Sequence, residues 1–265
     1  MKKYIFYKLI KNLLYQIFIG RIYYIAYNFY PMKAKDLRFP YCWEERKPLL
    51  QDQILFIPNY YFGHDIWVKS GEPWTFFPND NPIHVEFCSG NGEWVINQAV
   101  VEPNINWIAV EMDFPRVRKI WSKRANQGIS NLFIVCGRAQ EFITHYVTED
   151  IFSEIFIHFP DPWPRKKQAK HRLFRKEFLL FLNNSLRRNG KLHLVTDVEI
   201  YMDICIELIK RIPTWDYWYK SPHFVINKEQ VGGSWFHRLW MEKGKDIFYM
   251  TLINKKESHV DIIKK

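Results

Sequence analysis

From residue 83 onward the chain alternates short apolar runs with amphipathic stretches of helix length, and this pattern constrains the fold more than any other feature. Short β-branched and aromatic runs separated by helix-length stretches are what βα units stacked into a mostly parallel sheet look like in sequence. Strands are expected at 83–88 (IHVEFC), 106–110 (NWIAV), 132–136 (LFIVC), 153–159 (SEIFIHF) and 191–196 (KLHLVT). Helices fit between and after them, at about 93–101, 114–127, 139–146, 174–187 and 198–211. A last apolar run at 247–252 (IFYMTL), reached through the aromatic segment 215–219, reads as a late strand. With 265 residues the chain suits one large α/β core with appendages.

Two segments precede this body. Residues 1–31 hold ten Tyr or Phe, five basic residues (Lys2, Lys3, Lys8, Lys11 and Arg21) and no acid, so half of the formal net charge of +10 lies there. Charges interrupt its apolar runs well short of the roughly 20 residues a spanning helix requires, and there is no small-residue cleavage pattern. No stable membrane insertion is expected. Two readings stand for it: a basic aromatic segment lying on a membrane surface or packing on the domain, or translated sequence upstream of a true start at Met32. Residues 32–82 are proline-rich, with short apolar runs such as Ile54–Ile57, and read as an irregular lead-in draped over the core. The main domain is then 83–253, followed by a polar tail, 254–265. Cys42, Cys88, Cys136 and Cys205 are far apart and form no CxxC pair, and the nine histidines show no metal-ligand spacing. This argues against a disulfide scaffold or a zinc site and for reduced thiols in a cytosol, and no metal is assigned.

The candidate chemistry sits at strand ends, where open parallel sheets hold their ligands. Glu86-Phe87-Cys88-Ser89-Gly90-Asn91-Gly92 ends the first strand and opens a helix. Small residues at Ser89, Gly90 and Gly92 let the backbone approach a ligand at the positive end of the helix dipole. Glu111 closes the next strand, where an acid can accept hydrogen bonds from two ribose hydroxyls. Val95 stands where a dinucleotide loop would have its third glycine, so a nucleoside without a pyrophosphate suits the loop better. Turn glycines and strand-end acids are common singly; their spacing makes the pair informative. Phe159-Pro160-Asp161-Pro162-Trp163-Pro164 ends the fourth strand, with prolines that hold the Asp161 carboxylate and the Trp163 indole in fixed directions. Seven Lys or Arg follow in twelve positions, from Arg165 to Lys176. Beside a base-holding loop this run suits phosphate contacts, its plain alternative being a solvated face. Asp197 adds a second acid to the rim, and His158 reads as a core or rim histidine.

Together these residues resemble the tRNA (guanine-N7-)-methyltransferase family of the TrmB type over about residues 80–253, most specifically through the FPDPW motif at Phe159–Trp163 and Thr196-Asp197. The resemblance implies a class I (Rossmann-like) methyltransferase with a mostly parallel seven-stranded sheet flanked by helices. It implies S-adenosylmethionine as cofactor, guanosine 46 of the tRNA variable loop as target, and a cytoplasmic monomer or homodimer. Residue by residue, Glu86, Ser89, Gly90, Gly92 and Glu111 would contact the cofactor and Asp161 would be the active-site acid. Arg165 falls on a substrate-binding lysine, Lys167, Lys170 and Arg172 on an RNA-contacting stretch, and Asp197 on a substrate-binding acid. Two places depart from the pattern. Arg138 stands where the family has an acid that reads the adenine amino group. The late TxFE segment is matched by Ser234 and Phe236, with His237 in place of the carboxylate. A catalytically silent RNA-binding protein of the same fold, another class I N-methyltransferase acting on adenine or protein amines, and a peripheral membrane protein are the alternatives.

Overall fold

Chain direction reverses its sideways progress at one strand, and that strand organises the molecule. In the computed structural model, which describes residues 31–41, 46–64, 76–228 and 233–256, β3 (Ile83–Phe87) lies between β4 (Asn106–Glu111) and β6 (Phe152–His158). From β3 the chain moves outward through α1 (Glu93–Val101), β4, α2 (Phe114–Asn126) and β5 (Leu132–Cys136). It then returns through α3 (Ala139–His145) to β6 on the other side, and α4 (Lys176–Ser185) leads to β7 (Leu186–Thr196). All these neighbours pair in parallel. The switch at β3 opens a crevice beyond the carboxyl ends of β3, β4 and β6. After α5 (Glu199–Ile209) the sheet ends in antiparallel strands, with β10 (Phe248–Asn254) between β7 and β8 (Trp215–Tyr217).

The sheet has ten strands, not the expected seven. The lead-in accounts for two of the additions. β1 (Leu49–Gln51) and β2 (Ile54–Phe56) form a hairpin whose two-residue loop, Asp52-Gln53, has φ of 53° and 58°, the left-handed pair that suits strand twist. All three residues of β2 are buried, and β2 extends β5 in parallel. Ile54-Leu55-Phe56 therefore covers a sheet edge by joining it, where the sequence suggested only a draped segment. The third addition, β9 (Val225–Ile226), pairs with β10.

Two strands stop a residue earlier than expected because Cys88 and Phe159 adopt φ of 63° and 48°. β7 instead starts early, at Leu186, and absorbs a bulge around Asn189 (φ 61°), where its register against β6 shifts. The helix α6 (Trp235–Glu242) was not expected; it buries no residue and is capped by the Ser234 hydroxyl, which accepts from His237 N at 3.1 Å. Residues 1–30, Cys42 and the tail from 257 lie outside the described residues.

One sheet face packs Val85, Phe87, Ile157 and Leu194 against Phe142, Leu179 and Met202 of α3, α4 and α5 in a continuous core. The other face is apolar under α1 and α2, where Trp94, Val95, Val117 and Ile120 meet Phe56, Trp107 and Ala109, and in a small cluster of Val195, Ile247 and Tyr249.

Candidate active site

The turn from β3 into α1 is built from left-handed backbone, with φ of 63° at Cys88, 55° at Gly90 and 72° at Gly92. A Cβ on Gly92 would lie 2.6 Å from Ile120 Cγ1, so only glycine lets α2 pack this close. Ser89 ties the turn to its strands: its N–H donates to Val110 O at 3.2 Å and its hydroxyl to Glu86 O at 3.0 Å.

Glu111, buried at the end of β4, holds the same turn from beneath. Its Oε2 accepts from Gly90 N at 2.8 Å and its Oε1 from Asp113 N at 2.9 Å. Burial raises its pKa, against the opposing pull of those N–H groups and of Arg116, whose Nη1 is 3.9 Å away. Each oxygen keeps a second lone pair, so the carboxylate can fix the turn and still accept from a ligand hydroxyl.

Glu86 is 1% exposed. Its Oε1 lies 2.8 Å from His158 Nδ1, which donates to a carboxylate there. Its Oε2 and His158 Nε2 have no hydrogen-bond partner among the described residues. Both residues line a cavity of about 50 Å³ with Gly90, Arg116, Ser234 and Phe236. A buried carboxylate oxygen without a donor is costly, and a ligand carrying N–H groups relieves that cost. The donor set present here fits S-adenosylmethionine, which would meet the glycine turn, with Glu111 available to accept from its ribose and Glu86 Oε2 from its amino group.

Phe236 narrows the cavity. It reaches from α6 to within 3.7 Å of where a Gly90 Cβ would stand, with the Arg116 guanidinium 5.7 Å from its ring centre and Phe159 at 6.2 Å. Arg238 pairs with Glu93 at the start of α1, so α6 is held over the site by side chains.

The FPDPW loop departs from β6 through the left-handed Phe159 and is closed by Trp163, also left-handed at φ 41°. Pro160 is buried and Asp161 exposed. Arg172 clamps the loop by donating from Nε to Trp163 O at 3.1 Å and Pro162 O at 3.3 Å, and from Nη2 to Pro164 O at 3.3 Å. Expected as an RNA contact, this guanidinium is engaged with the loop's own carbonyls. Burial, and then the carboxylates of Glu111, Asp161 and Glu86, push the Cys88 thiol well above its usual range. Neither Asp161 nor Glu111 lines the cavity itself; the loop's Phe159 does.

The remaining expected residues are dispersed around this centre. Arg165, Lys167 and Lys170 are exposed or nearly so at the start of and along a 3-10 turn, Lys166–His171. Asp197 is paired with Lys245 Nζ at 2.6 Å, and Lys245 also lies 4.0 Å from the Trp240 ring centre. Ser234 lines the cavity, whereas Arg138 is exposed at the N-cap of α3, outside the lining. His237 bonds Tyr249 Oη through Nε2 at 2.8 Å, and burial, then His158 and Arg238, lower its pKa and favour the neutral ring; an imidazole in either form supplies no negative charge in place of the missing carboxylate. The sequence reading missed Arg116 and the pairing of His158 with Glu86. Strand parity was the available signal: His158, the last residue of β6, and Glu86, one residue from the end of β3, share a sheet face.

The switch-point crevice, glycine turn and strand-end acids define a class I methyltransferase. Fold comparison agrees: the 16S rRNA methyltransferase KamB superposes with a TM-score of 0.50 at 18% identity, covering 66% of this chain and 89% of that one. A family model described as "Putative methyltransferase" matches residues 80–250. The tRNA (guanine-N(7)-)-methyltransferase of Chlamydia caviae is 45% identical over 227 residues, which is 84% of this chain and 99% of that protein. The protein of that name from Clostridioides difficile is 32% identical over 154 residues, 58% of this chain and 72% of its own length. The chain belongs to the tRNA (guanine-N(7)-)-methyltransferase family. No helix among the described residues is long and apolar enough to cross a membrane.

Proposed function

We propose that this protein transfers the methyl group of S-adenosylmethionine to guanine N7 in tRNA, at position 46 of the variable loop, with Asp161 as the active-site acid. The observation that supports this reading is the pair of buried carboxylates at the glycine turn, Glu111 holding Gly90 N at 2.8 Å and Glu86 lining the cavity with its Oε2 unpartnered among the described residues. When bound, the cofactor supplies an electrophilic methyl on sulfur; the N7–C bond forms as the S–C bond breaks and the sulfur keeps the electron pair. Guanine N7 already has its lone pair available, so the protein's work is positioning, with N7 about 3–3.5 Å from the methyl carbon. Glu86 and Glu111 hold the donor, and Asp161 orients the guanine by accepting from its N–H groups and stabilises the positive charge the purine acquires. Arg165, Lys167 and Lys170 follow the RNA backbone, and Asp197, once Lys245 releases it, accepts from the exocyclic N–H groups of a base. The cofactor needs more room than the cavity offers with Phe236 in place, and Phe236 is carried by a helix that buries no residue.

The test is incubation of purified protein with labelled S-adenosylmethionine and unmodified tRNA, followed by nucleoside analysis. The expected product is 7-methylguanosine. Asp161→Ala should lower kcat by about 10³-fold and leave cofactor affinity and the melting temperature close to wild type. A different methylated nucleoside, or a variant as fast as wild type, would overturn the assignment. The rival reading, a silent RNA-binding protein of the same fold, draws on Phe236 filling the cavity, and calorimetric titration with S-adenosylmethionine separates the two.

A further inference from the structure

Away from the cavity, two imidazoles and a carboxylate from distant parts of the chain meet at one point. Glu141 and His145 lie one turn apart on α3, and His64 comes from the lead-in beyond β2. Glu141 Oε2 is 3.7 Å from His64 Nε2 and 3.8 Å from His145 Nε2. The ligand atoms of all three lie within 4.8 Å of one another, and no ion is present.

We propose that His64, Glu141 and His145 form a binding site for a divalent transition-metal ion of the zinc class, which fastens the lead-in to α3. Both nitrogen–oxygen separations are too long for good hydrogen bonds. They suit atoms on either side of a metal, because zinc bonds of about 2.0–2.2 Å set neighbouring ligands roughly 3.3–3.8 Å apart. The third separation, between the two histidines, is at most 4.8 Å, and closing it to that range takes a shift of about 1 Å, which the His145 side chain, 26% exposed, can supply.

The surroundings fit the same role. His64 is 3% exposed and its Nδ1 lies 2.6 Å from Tyr146 Oη. With Nδ1–H donating to that oxygen, Nε2 carries the lone pair and faces Glu141. A partner on the far ring nitrogen is what fixes the tautomer of a metal-bound histidine. The His64 and His145 rings stack with centroids 4.6 Å apart and planes 22° apart, so binding requires the more exposed His145 ring to turn until both in-plane lone pairs meet at one ion. Two imidazoles and a carboxylate are a donor set that zinc accepts, with solvent completing the coordination on the partly exposed side. None of the three residues lines the methyl-donor cavity, so the site stands or falls independently of the proposed reaction.

The experiment uses the full, untagged chain, stripped with EDTA, dialysed and titrated with zinc chloride by calorimetry. One equivalent should bind, and zinc at about a hundred times its Kd should raise the melting temperature by about 5 °C. His145→Ala and Glu141→Gln, each checked for folding by its metal-free melt, should weaken binding at least tenfold and lose the thermal shift. His171→Ala, a histidine on the exposed 3-10 turn, should bind zinc as wild type does. Absence of saturable zinc binding to the wild type overturns the proposal, and so does equal binding by His145→Ala and Glu141→Gln. Either result would leave the cluster as an imidazole–carboxylate ion pair.

Discussion

The two faces of the sheet use the same strands for different ends. On β3, Val85 and Phe87 point into the continuous core while Glu86, between them, faces the cavity. On β6, Ile155 and Ile157 alternate with Phe156 and His158; on β7, Leu192 and Leu194 flank His193. One face is an uninterrupted layer of aliphatic and aromatic side chains beneath α3, α4 and α5. Its opposite carries hydrogen-bonded histidines and acids beside its apolar patches: Glu86 with His158, and His193 bridging Glu154 (2.9 Å) and Thr251 (3.1 Å). Because successive side chains alternate in direction, one face can stabilise the fold while the other accepts the cost of buried polar groups. The lesson is that function here comes from half of each strand.

Opposite outcomes for neighbouring substitutions on the two faces are the strongest test of that division. Leu194→Ala removes a side chain that is 1% exposed from the apolar face. It should lower stability to urea by about 3 kcal/mol without altering the affinity of the folded protein for S-adenosylmethionine. Glu86→Gln should do the reverse: its amide oxygen can still accept from His158, but the charge facing the cavity is gone. Cofactor Kd should rise at least tenfold, as expected for losing a charge-assisted bond of about 1.5–3 kcal/mol, with a small change in urea midpoint. Equal effects of both on stability and affinity would dissolve the contrast.

Acid should find the polar face first. His84 sits on β3 against Trp107 (ring centres 5.0 Å apart) and Phe156 (6.0 Å). Burial, opposed by Glu154 and assisted by His193, lowers its pKa to about 4. The unfolded chain has the ordinary value near 6.5, so between these values the unfolded state binds more protons and stability falls as pH falls. The full loss from this one group is about 3 kcal/mol across that window. His84→Leu should flatten the urea midpoint measured from pH 7 to pH 4. A residual slope is expected from His193, whose pKa burial also lowers despite its bond to Glu154. An unchanged slope would show that His84 is protonated alike in both states.

What could be read in the sequence was whatever is local. The strand runs, the glycine turn and the proline-framed Asp161 are contiguous, and backbone preference or strand parity alone places them. Ile54–Ile57 was visibly apolar, yet nothing within the run says that it pairs with β5, some 80 residues later; that depends on which sheet edge needs covering. The helix α6 escaped for a related reason: it buries no side chain, and its place depends on Arg238 reaching Glu93 and on Phe236 reaching the glycine turn. Lys245 on Asp197, and His64 beside Glu141, are likewise contacts between remote segments that spacing cannot reveal.

The basic segment after the FPDPW loop divides in the same way, into a cation that holds the protein and cations that face outward. Sequence made Arg172 and Lys167 equivalent, two charges in one run; geometry separates them. Arg172 donates to the carbonyls of Pro162, Trp163 and Pro164, so Arg172→Ala should loosen the mount of Asp161. The expected effect is a fall in kcat of about tenfold, the size of one or two lost charge-assisted hydrogen bonds, with the salt dependence of tRNA binding little changed. Lys167→Ala leaves the loop intact and removes one outward charge. It should leave kcat within about twofold and reduce the slope of log K against log salt by about one unit. Measuring both quantities for both variants decides the matter: if Arg172→Ala lowers the slope by the same unit and spares kcat, the clamp is incidental and the run acts as one phosphate-tracking surface.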